Sequence, residues 1–443
     1  MLCLTSHDNK EALYKSLSGD LWKPTFKAAP GIDKRVFEEN ITRINHATLK
    51  QNPLEHFQFY ETAAALQPNG LSLLIAHNTA CSAVLRFGGS THLEVVKQSE
   101  QRKRPVGVCM QEFGSETSVG KIDTTAFFNP KAKQFTLDSI APFSRKYWCA
   151  GFGDDTCVDY AIVFAKTVVD SKTQASEGAN AFLVEVRDPT SGALAKNVKV
   201  EDLGEYRNSG LRKGSVYFDK VTLEKGSMLE GVAKINDQGK VESQLKPHSR
   251  ITAYVDGMTY WHEALSSCAI GLLKASLFVG IKASRNRLTS GETHKVTDPL
   301  LYYQLHQQAL IPLAARTLAY NFSRNLSSQQ FVKSTVDPLS VVLSNLSKSR
   351  ITDYAVEAIS TVSSYTGVLG VSTFSRLPEY QQAARVLCSE AGDNKMLAIR
   401  VSRELVKLHQ SGKYQLPQTK STVVREVSQL GSIDVLLELV RLR

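Results

Sequence analysis

At 443 residues the chain is too long for one simple core, and two or three packed units are expected. A hydrophobic fraction of 42% and a charged fraction of 22% are ordinary for a globular protein and exclude a low-complexity or strongly charged disordered chain. The net charge of +10 admits a nucleic-acid partner on charge alone, but the one tight basic cluster, Arg102-Lys103-Arg104, reads as a solvated loop, and a basic surface equally suits phosphate-bearing ligands.

In chain order, residues 1–100 read mostly as helix. Glu38–Leu49 and His56–Leu66 alternate polar and apolar residues at helical spacing, and Leu71–Phe87 is more uniformly apolar, as in a buried helix. Pro68-Asn69-Gly70 marks a turn between the second and third, and Gly88-Gly89-Ser90 ends the third. The period then changes. Thr124–Asn129 and Gln134–Asp138 predict two strands joined at Pro130–Lys133, and Tyr160–Val169 is an apolar run of the buried-strand type. Ala181–Val186, Val198–Glu201 and Ser215–Val221 add three more strands, punctuated by Pro189, Gly192, Gly204, Gly210 and Gly214, so a small barrel or sandwich is expected. Helix returns over Tyr254–Leu288, Asp298–Leu326 and Pro338–Thr366; Pro378 reads as a break, and Met396–His409 as a last amphipathic helix. A polar linker from Ser411 to Thr422 and a helical tail over Val424–Arg443 complete the reading. The fold class is therefore α+β, in four parts: a helical domain (1–106), a β domain (107–246), a helical bundle (247–412), and a linker with tail (413–443).

No apolar run of the ~18–20 residues needed to span a bilayer is seen, and the N-terminus has no basic n-region or apolar core, so neither a membrane span nor a secretory signal is expected. The seven cysteines at 3, 81, 109, 149, 157, 268 and 388 form no C-x-x-C pair, which predicts reduced thiols in an intracellular setting. The ten histidines are spread singly, and no metal site is expected. No G-x-S-x-G, Walker loop or H-E-x-x-H is present. The terminal Arg441-Leu442-Arg443 does not read as a peroxisomal address.

Three segments point further. Cys109-Met110-Gln111-Glu112-Phe113-Gly114-Ser115, Thr124–Pro130 and Lys146-Tyr147-Trp148-Cys149-Ala150-Gly151-Phe152-Gly153 together resemble the middle domain of the peroxisomal acyl-CoA oxidases, a branch of the acyl-CoA dehydrogenase family. The resemblance runs over roughly residues 65–415 and implies that family's fold, an FAD cofactor, an acyl-CoA or acyl-thioester substrate, and a homodimer or a heteromer with a related oxidase. It also implies a peroxisomal or cytoplasmic setting and no nucleic-acid partner. The implied flavin contacts are Gln111, Trp148, Ala150 and Gly151, then Arg287 for the pyrophosphate, Gln304, the Gly367-Val368-Leu369-Gly370 turn, and Asn394. Gln111 replaces a threonine of the family, Ala150 a glycine, and Val368 the second glycine of a G-G-x-G turn.

The catalytic position departs from the pattern. Desaturating relatives carry a glutamate that takes the α-proton of the thioester; here the segment is Ser389-Glu390-Ala391-Gly392-Asp393-Asn394, and the matching position is Ala391. Three alternatives stand at this point: Glu390, one residue earlier; His262 or Glu263, beside Trp261 where some relatives place the base; or no orthodox base, as in a catalytically silent paralogue that partners an active oxidase.

Overall fold

The computed structural model describes residues 32–413 except 69, 116–119, 154–157, 170–174, 206–211, 291–295 and 335–336. The tail helix, all but the start of the linker, Cys3, Cys157, Asn69 and Gly210 lie outside the described residues.

Helices come first: α1 (Ile32–Asn40), α2 (His46–Gln51), α3 (Pro53–Leu66), α4 (Ser72–Phe87) and α5 (Ser90–Gln101). The one helix expected over Glu38–Leu49 is two. The Asn45 side chain accepts the backbone N–H groups of Ala47 and Thr48, the Thr48 hydroxyl accepts that of Asn45, and this reciprocal cap starts α2 afresh. Pro53 opens α3 at a position that needs no N–H donor. The sequence reading contains no helix at α5; its buried residues are only His92, Val96 and Ser99, too thin an apolar stripe to read as amphipathic.

Two sheets follow. The larger is organised on β5 (Tyr160–Val168), whose residues are buried almost throughout, as its unbroken apolar run predicts. Strands β1 (Val106–Cys109) and β2 (Thr125–Asn129) lie end to end, both parallel, along one edge of β5; β6 (Ser176–Glu185) pairs antiparallel on the other. Beyond β2 come β3 (Gln134–Asp138) and β9 (Val221–Glu224). The smaller sheet is β4 (Lys146–Ala150), β8 (Arg212–Phe218) and β7 (Val198–Glu205). Phe128, Phe135, Phe152, Phe182 and Phe218 fill one core between the sheets. β1 and β4 are additions to the expected set, and the strand expected over Ser215–Val221 divides at Asp219-Lys220, where Lys220 has φ +56°. A short hairpin, β10 (Lys234–Ile235) and β11 (Val241–Glu242), leads out.

The second helical part comprises α6 (Pro247–Gly257), α7 (Tyr260–Asn286), α8 (Gln304–Lys333), α9 (Pro338–Thr366), α10 (Leu377–Ser389) and α11 (Asn394–Gln410). The helix expected over Tyr254–Leu288 breaks after Gly257, where a Cβ would fall 2.0 Å from the Phe87 ring. The helix expected from Asp298 starts at Gln304 instead, after a hairpin of β12 (Leu288–Ser290) and β13 (Val296–Pro299). Pro378 is not a break but the opening turn of α10, as proline's fixed φ permits. Helix α7 is the axis of the bundle. Gly271 lets it touch α3, since a Cβ there would lie 2.0 Å from the Glu61 carbonyl oxygen. The Glu61 carboxylate then bridges to Lys274 on α7 (2.5 Å) and to Arg324 on α8. By length and composition Pro247–Asn286 passes for a membrane-crossing stretch, but 72% of its apolar window is buried within the fold, as for a core helix.

Candidate active site

A recess opens where α3, α4, α7, α10 and the end of β4 meet. Ile75, Ala150, Trp261, Leu265, Leu387 and Glu390 are among its walls. Glu390 is the only carboxylate among the described residues that line it.

Local backbone geometry puts it there. Glu390 caps α10 with extended angles, φ −68° and ψ 146°. Ala391 and Gly392 then take φ +55° and +101°. A left-handed alanine costs about 1–2 kcal/mol, so the turn needs outside support. Lys348 of α9 donates to the carbonyl oxygens of Cys388 (3.0 Å) and Gly392 (2.6 Å) and to Asn394 Oδ1 (2.8 Å). His262 Nε2 donates to the Ala391 carbonyl at 2.9 Å. Asp393 caps α11 by accepting the N–H groups of Lys395 and Met396. Across the recess, Lys213 of β8 forms an ion pair with Glu390, the two side chains being 6% and 15% exposed. Lys213 is the cross-strand partner of Ala150 in the β4–β8 ladder.

The other two candidate bases sit elsewhere. His262 is buried beneath the turn, and burial lowers its imidazole to about 4, so it is neutral at pH 7. With Nε2 donating, its Nδ1 carries a buried lone pair that has no hydrogen-bond partner. Glu263 is fully buried inside the bundle, where its carboxylate accepts the hydroxyls of Ser327, Ser328 (2.7 Å) and Ser344 (2.6 Å). Burial pushes its carboxyl up, against those three donors. Neither lines the recess.

The residues expected at the flavin edge share one corner of the β sheets. Trp148 takes φ +58° and its ring meets Tyr147 edge-on at 4.9 Å; Gly151 takes φ +80°, with Leu73 and Val158 both 2.8 Å from where a Cβ would stand. Gln111 accepts the Tyr147 N–H at 3.0 Å through its carbonyl. Behind this corner lies a buried strut absent from the sequence reading. Glu112 accepts from Lys146 Nζ (2.8 Å), the Thr124 hydroxyl (2.6 Å), and the N–H groups of Thr124 (2.9 Å) and Asp123 (2.8 Å). Each carboxylate oxygen is occupied, which makes the burial of this ion pair tolerable.

A second, open groove of about 510 Å³ is lined by Arg287, Thr289, His306, Ser364, Tyr365 and Gly367. Arg287 and Gly367, expected on one cofactor, do meet: Arg287 Nη1 lies 3.0 Å from where a Gly367 Cβ would stand, and Gly367 has φ +67°. Gln304 is exposed at the start of α8 and is not part of the groove lining. Val368 is 81% exposed, whereas Gly370 is buried against Ser363. Asn394 is engaged within the bundle: its amide donates to Thr352 Oγ1 (2.8 Å) and Asp353 Oδ1 (2.6 Å) and accepts from Lys348.

The histidines are less scattered than the sequence suggests. His77, Cys81 and Glu100 bring their ligand-type atoms within 4.8 Å of one another, and His46 also pairs with Glu100. His77 Nδ1 accepts the Val106 N–H at 2.9 Å, so the proton of the neutral ring is on Nε2, directed at Glu100 (3.2 Å). A metal would need that nitrogen's lone pair. The cluster is a hydrogen-bonded knot tying α2, α4 and α5 to β1.

Residues 256–406, the span of α7 to α11, match the family model for the acyl-CoA oxidase C-alpha1 domain. The peroxisomal acyl-coenzyme A oxidase 3 of Arabidopsis thaliana is 27% identical over 330 residues, covering 73% of this chain and 48% of that protein. The chain is similar to the acyl-CoA oxidases, and its residues 256–406 match their C-alpha1 domain. Its fold is shared with acyl-CoA oxidase-2 of Caenorhabditis elegans, crystallised with FAD, ascaroside-CoA and ATP, at a TM-score of 0.77 and 18% identity over 95% of this chain and 67% of that one. It is shared too with butyryl-CoA dehydrogenase of Megasphaera elsdenii, at a TM-score of 0.68 and 16% identity over 90% of this chain and 98% of that one. This acyl-CoA oxidase-like chain spans about half the length of the curated relatives it matches.

Proposed function

We propose that the chain is an FAD-dependent oxidoreductase of the acyl-CoA oxidase type, acting on the α,β-carbons of an acyl thioester, with Glu390 as the base. The carrying observation is that Glu390, one residue from the expected position, lines the recess with Trp261 and Ala150, while Ala391 occupies a left-handed turn whose carbonyl is held by His262. The division at residues 106, 246 and 412 is part of the same reading.

The residues present fit a flavin. Arg287 offers a cation at an open groove, beside Gly367, whose φ of +67° favours glycine, as fits a pyrophosphate site. Trp148, Ala150 and Gly151 form the wall for the ring edge, next to the recess. Bound there, FAD supplies the hydride acceptor. The chain's own part is to admit the acyl group among Ile75, Leu265 and Leu387, to exclude water with Trp261, and to take the α-proton on the Glu390 carboxylate. Lys213 holds that carboxylate on the β wall.

Assembly with a second copy or a related oxidase fits an exposed apolar run beside the groove, Val368, Val371 and Phe374, at 81%, 76% and 79% exposure. Light scattering tests this: a monomer that retains FAD contradicts it. A peroxisomal setting fits the relatives, which include peroxisomal acyl-coenzyme A oxidases of Arabidopsis thaliana and Homo sapiens.

One observation favours a second reading, a catalytically silent partner: Ala391 stands where the family has its glutamate, and the nearest carboxylate is tied to Lys213. Absorbance of the purified protein, then anaerobic addition of saturated acyl-CoA, separates the two. Flavin bleaching supports the oxidase reading. Bound flavin that stays oxidised supports the silent partner.

A further inference from the structure

The 388–394 turn is held from two helices at once, α7 and α9, and one side chain does most of the holding. Lys348 lies ten residues into α9 and is fully buried. Each of its three N–H groups has an acceptor in or beside the turn: the Cys388 and Gly392 carbonyls and the Asn394 amide oxygen. Those acceptors bracket Glu390 and Ala391. His262 adds the fourth restraint, at the Ala391 carbonyl. A turn with two successive positive-φ residues, one of them alanine, relaxes when its restraints are removed. A one-residue shift there would withdraw Glu390 from the recess and turn Ala391 toward it.

We propose that Lys348 is the positioning residue of this site: its ammonium clamps the 388–394 turn so that Glu390, and not Ala391, faces the recess. The inference rests on the Glu390 assignment above and goes beyond it, because Lys348 touches neither the recess nor any reacting atom. The groups facing Lys348 are Cys388 from α10, Glu390 and Asp393 from the turn, Asp353 from its own helix, and His262 from α7. Burial lowers its ammonium to about 8, and those carboxylates and the thiol oppose the fall. Above that pH the neutral amine has two N–H donors for three acceptors and turns a lone pair toward an oxygen. The clamp therefore weakens as pH rises through about 8.

Two readouts test this, on the full-length protein. Trp261 borders the recess with Glu390, so its fluorescence reports the turn without any turnover. Wild type should show a fluorescence transition centred near pH 8 that is absent in Trp261→Phe and in Lys348→Met. With FAD and acyl-CoA, Lys348→Met should lower kcat at pH 7 by at least about tenfold with KM little changed, and the alkaline limb of kcat near pH 8 should vanish. A purely structural lysine would lower stability and leave the pH profile of the surviving activity as it was. Wild-type kcat and pH profile in Lys348→Met overturn the proposal, and so does a flat Trp261 signal between pH 7 and 9. If Lys348→Met does not fold, the wild-type titration decides alone. A Trp261 transition near pH 8 in a protein that never bleaches its flavin leaves the clamp standing and removes the oxidase reading.

Discussion

Replacing Glu263 with leucine should unfold the bundle before it touches any chemistry. Glu263 is fully buried and receives three serine hydroxyls, from Ser327, Ser328 and Ser344. Leucine fills most of the volume but accepts nothing. A buried hydroxyl left without its partner costs about 1–3 kcal/mol. Some relief is available, because Ser266, Ser267 and Ser276 on α7 already donate to the carbonyl one turn back, and the three orphaned serines can do the same. The low end of the range then applies to each, giving about 3 kcal/mol in all, a large share of a typical domain's stability. Urea unfolding followed by circular dichroism measures the loss. Activity per folded molecule, at low urea and low temperature, should stay within about threefold of wild type. Unchanged stability with turnover down by two powers of ten would refute the argument and make Glu263 the base.

Three further outcomes follow from other parts of the structure. Glu390→Gln should lower turnover by roughly 10²–10⁴, the range for loss of a general base, with FAD affinity unchanged in an equilibrium titration; full activity would remove Glu390 from the chemistry. Glu100→Gln should destabilise the fold by about 3 kcal/mol at neutral pH: burial alone would raise this carboxyl, but hydrogen bonds from His46 and His77 hold it at about 2, below its ordinary 4.5. A depressed carboxyl contributes fully above 4.5 and loses its contribution as pH falls toward 2, so the gap between wild type and variant in urea midpoints should close over that window. Ala391→Gly should raise stability by up to about 1 kcal/mol by relieving the positive φ, read from the same unfolding curves; a fall would mean that the alanine's contact with the core outweighs the strain.

The helix–sheet–helix order was legible because it is carried by local pattern. Pro338 and Gly367 bracket α9 at its observed ends, and the apolar run of β5 is visible without its neighbours. The breaks were not legible, because tertiary contacts cause them: Gly257 faces Phe87, far away in sequence, and β1 is a strand because it pairs with β5. The same division holds at the candidate site. The motif offset singled out Glu390 and Ala391, and the spacing of family motifs singled out Arg287 and Gly367. What holds them is remote in sequence: Lys213 meets Glu390 across 177 residues, Lys348 meets Asn394 across 46, and His262 meets Ala391 across 129. A lone lysine in a helix carries no sign that its amine will be buried under a turn of another. The Glu112–Lys146 strut and the His77–Cys81–Glu100 knot escaped for that reason.

In the proposed reaction Glu390 takes a proton and a flavin takes a hydride from an acyl thioester. Anaerobic titration of the FAD-loaded protein with saturated acyl-CoA, followed by the loss of flavin absorbance, tests it most directly. Wild type should bleach, and Glu390→Gln should bleach at least about a hundredfold more slowly. Bound FAD that stays fully oxidised with saturated acyl-CoAs of short, medium and long chain would contradict it.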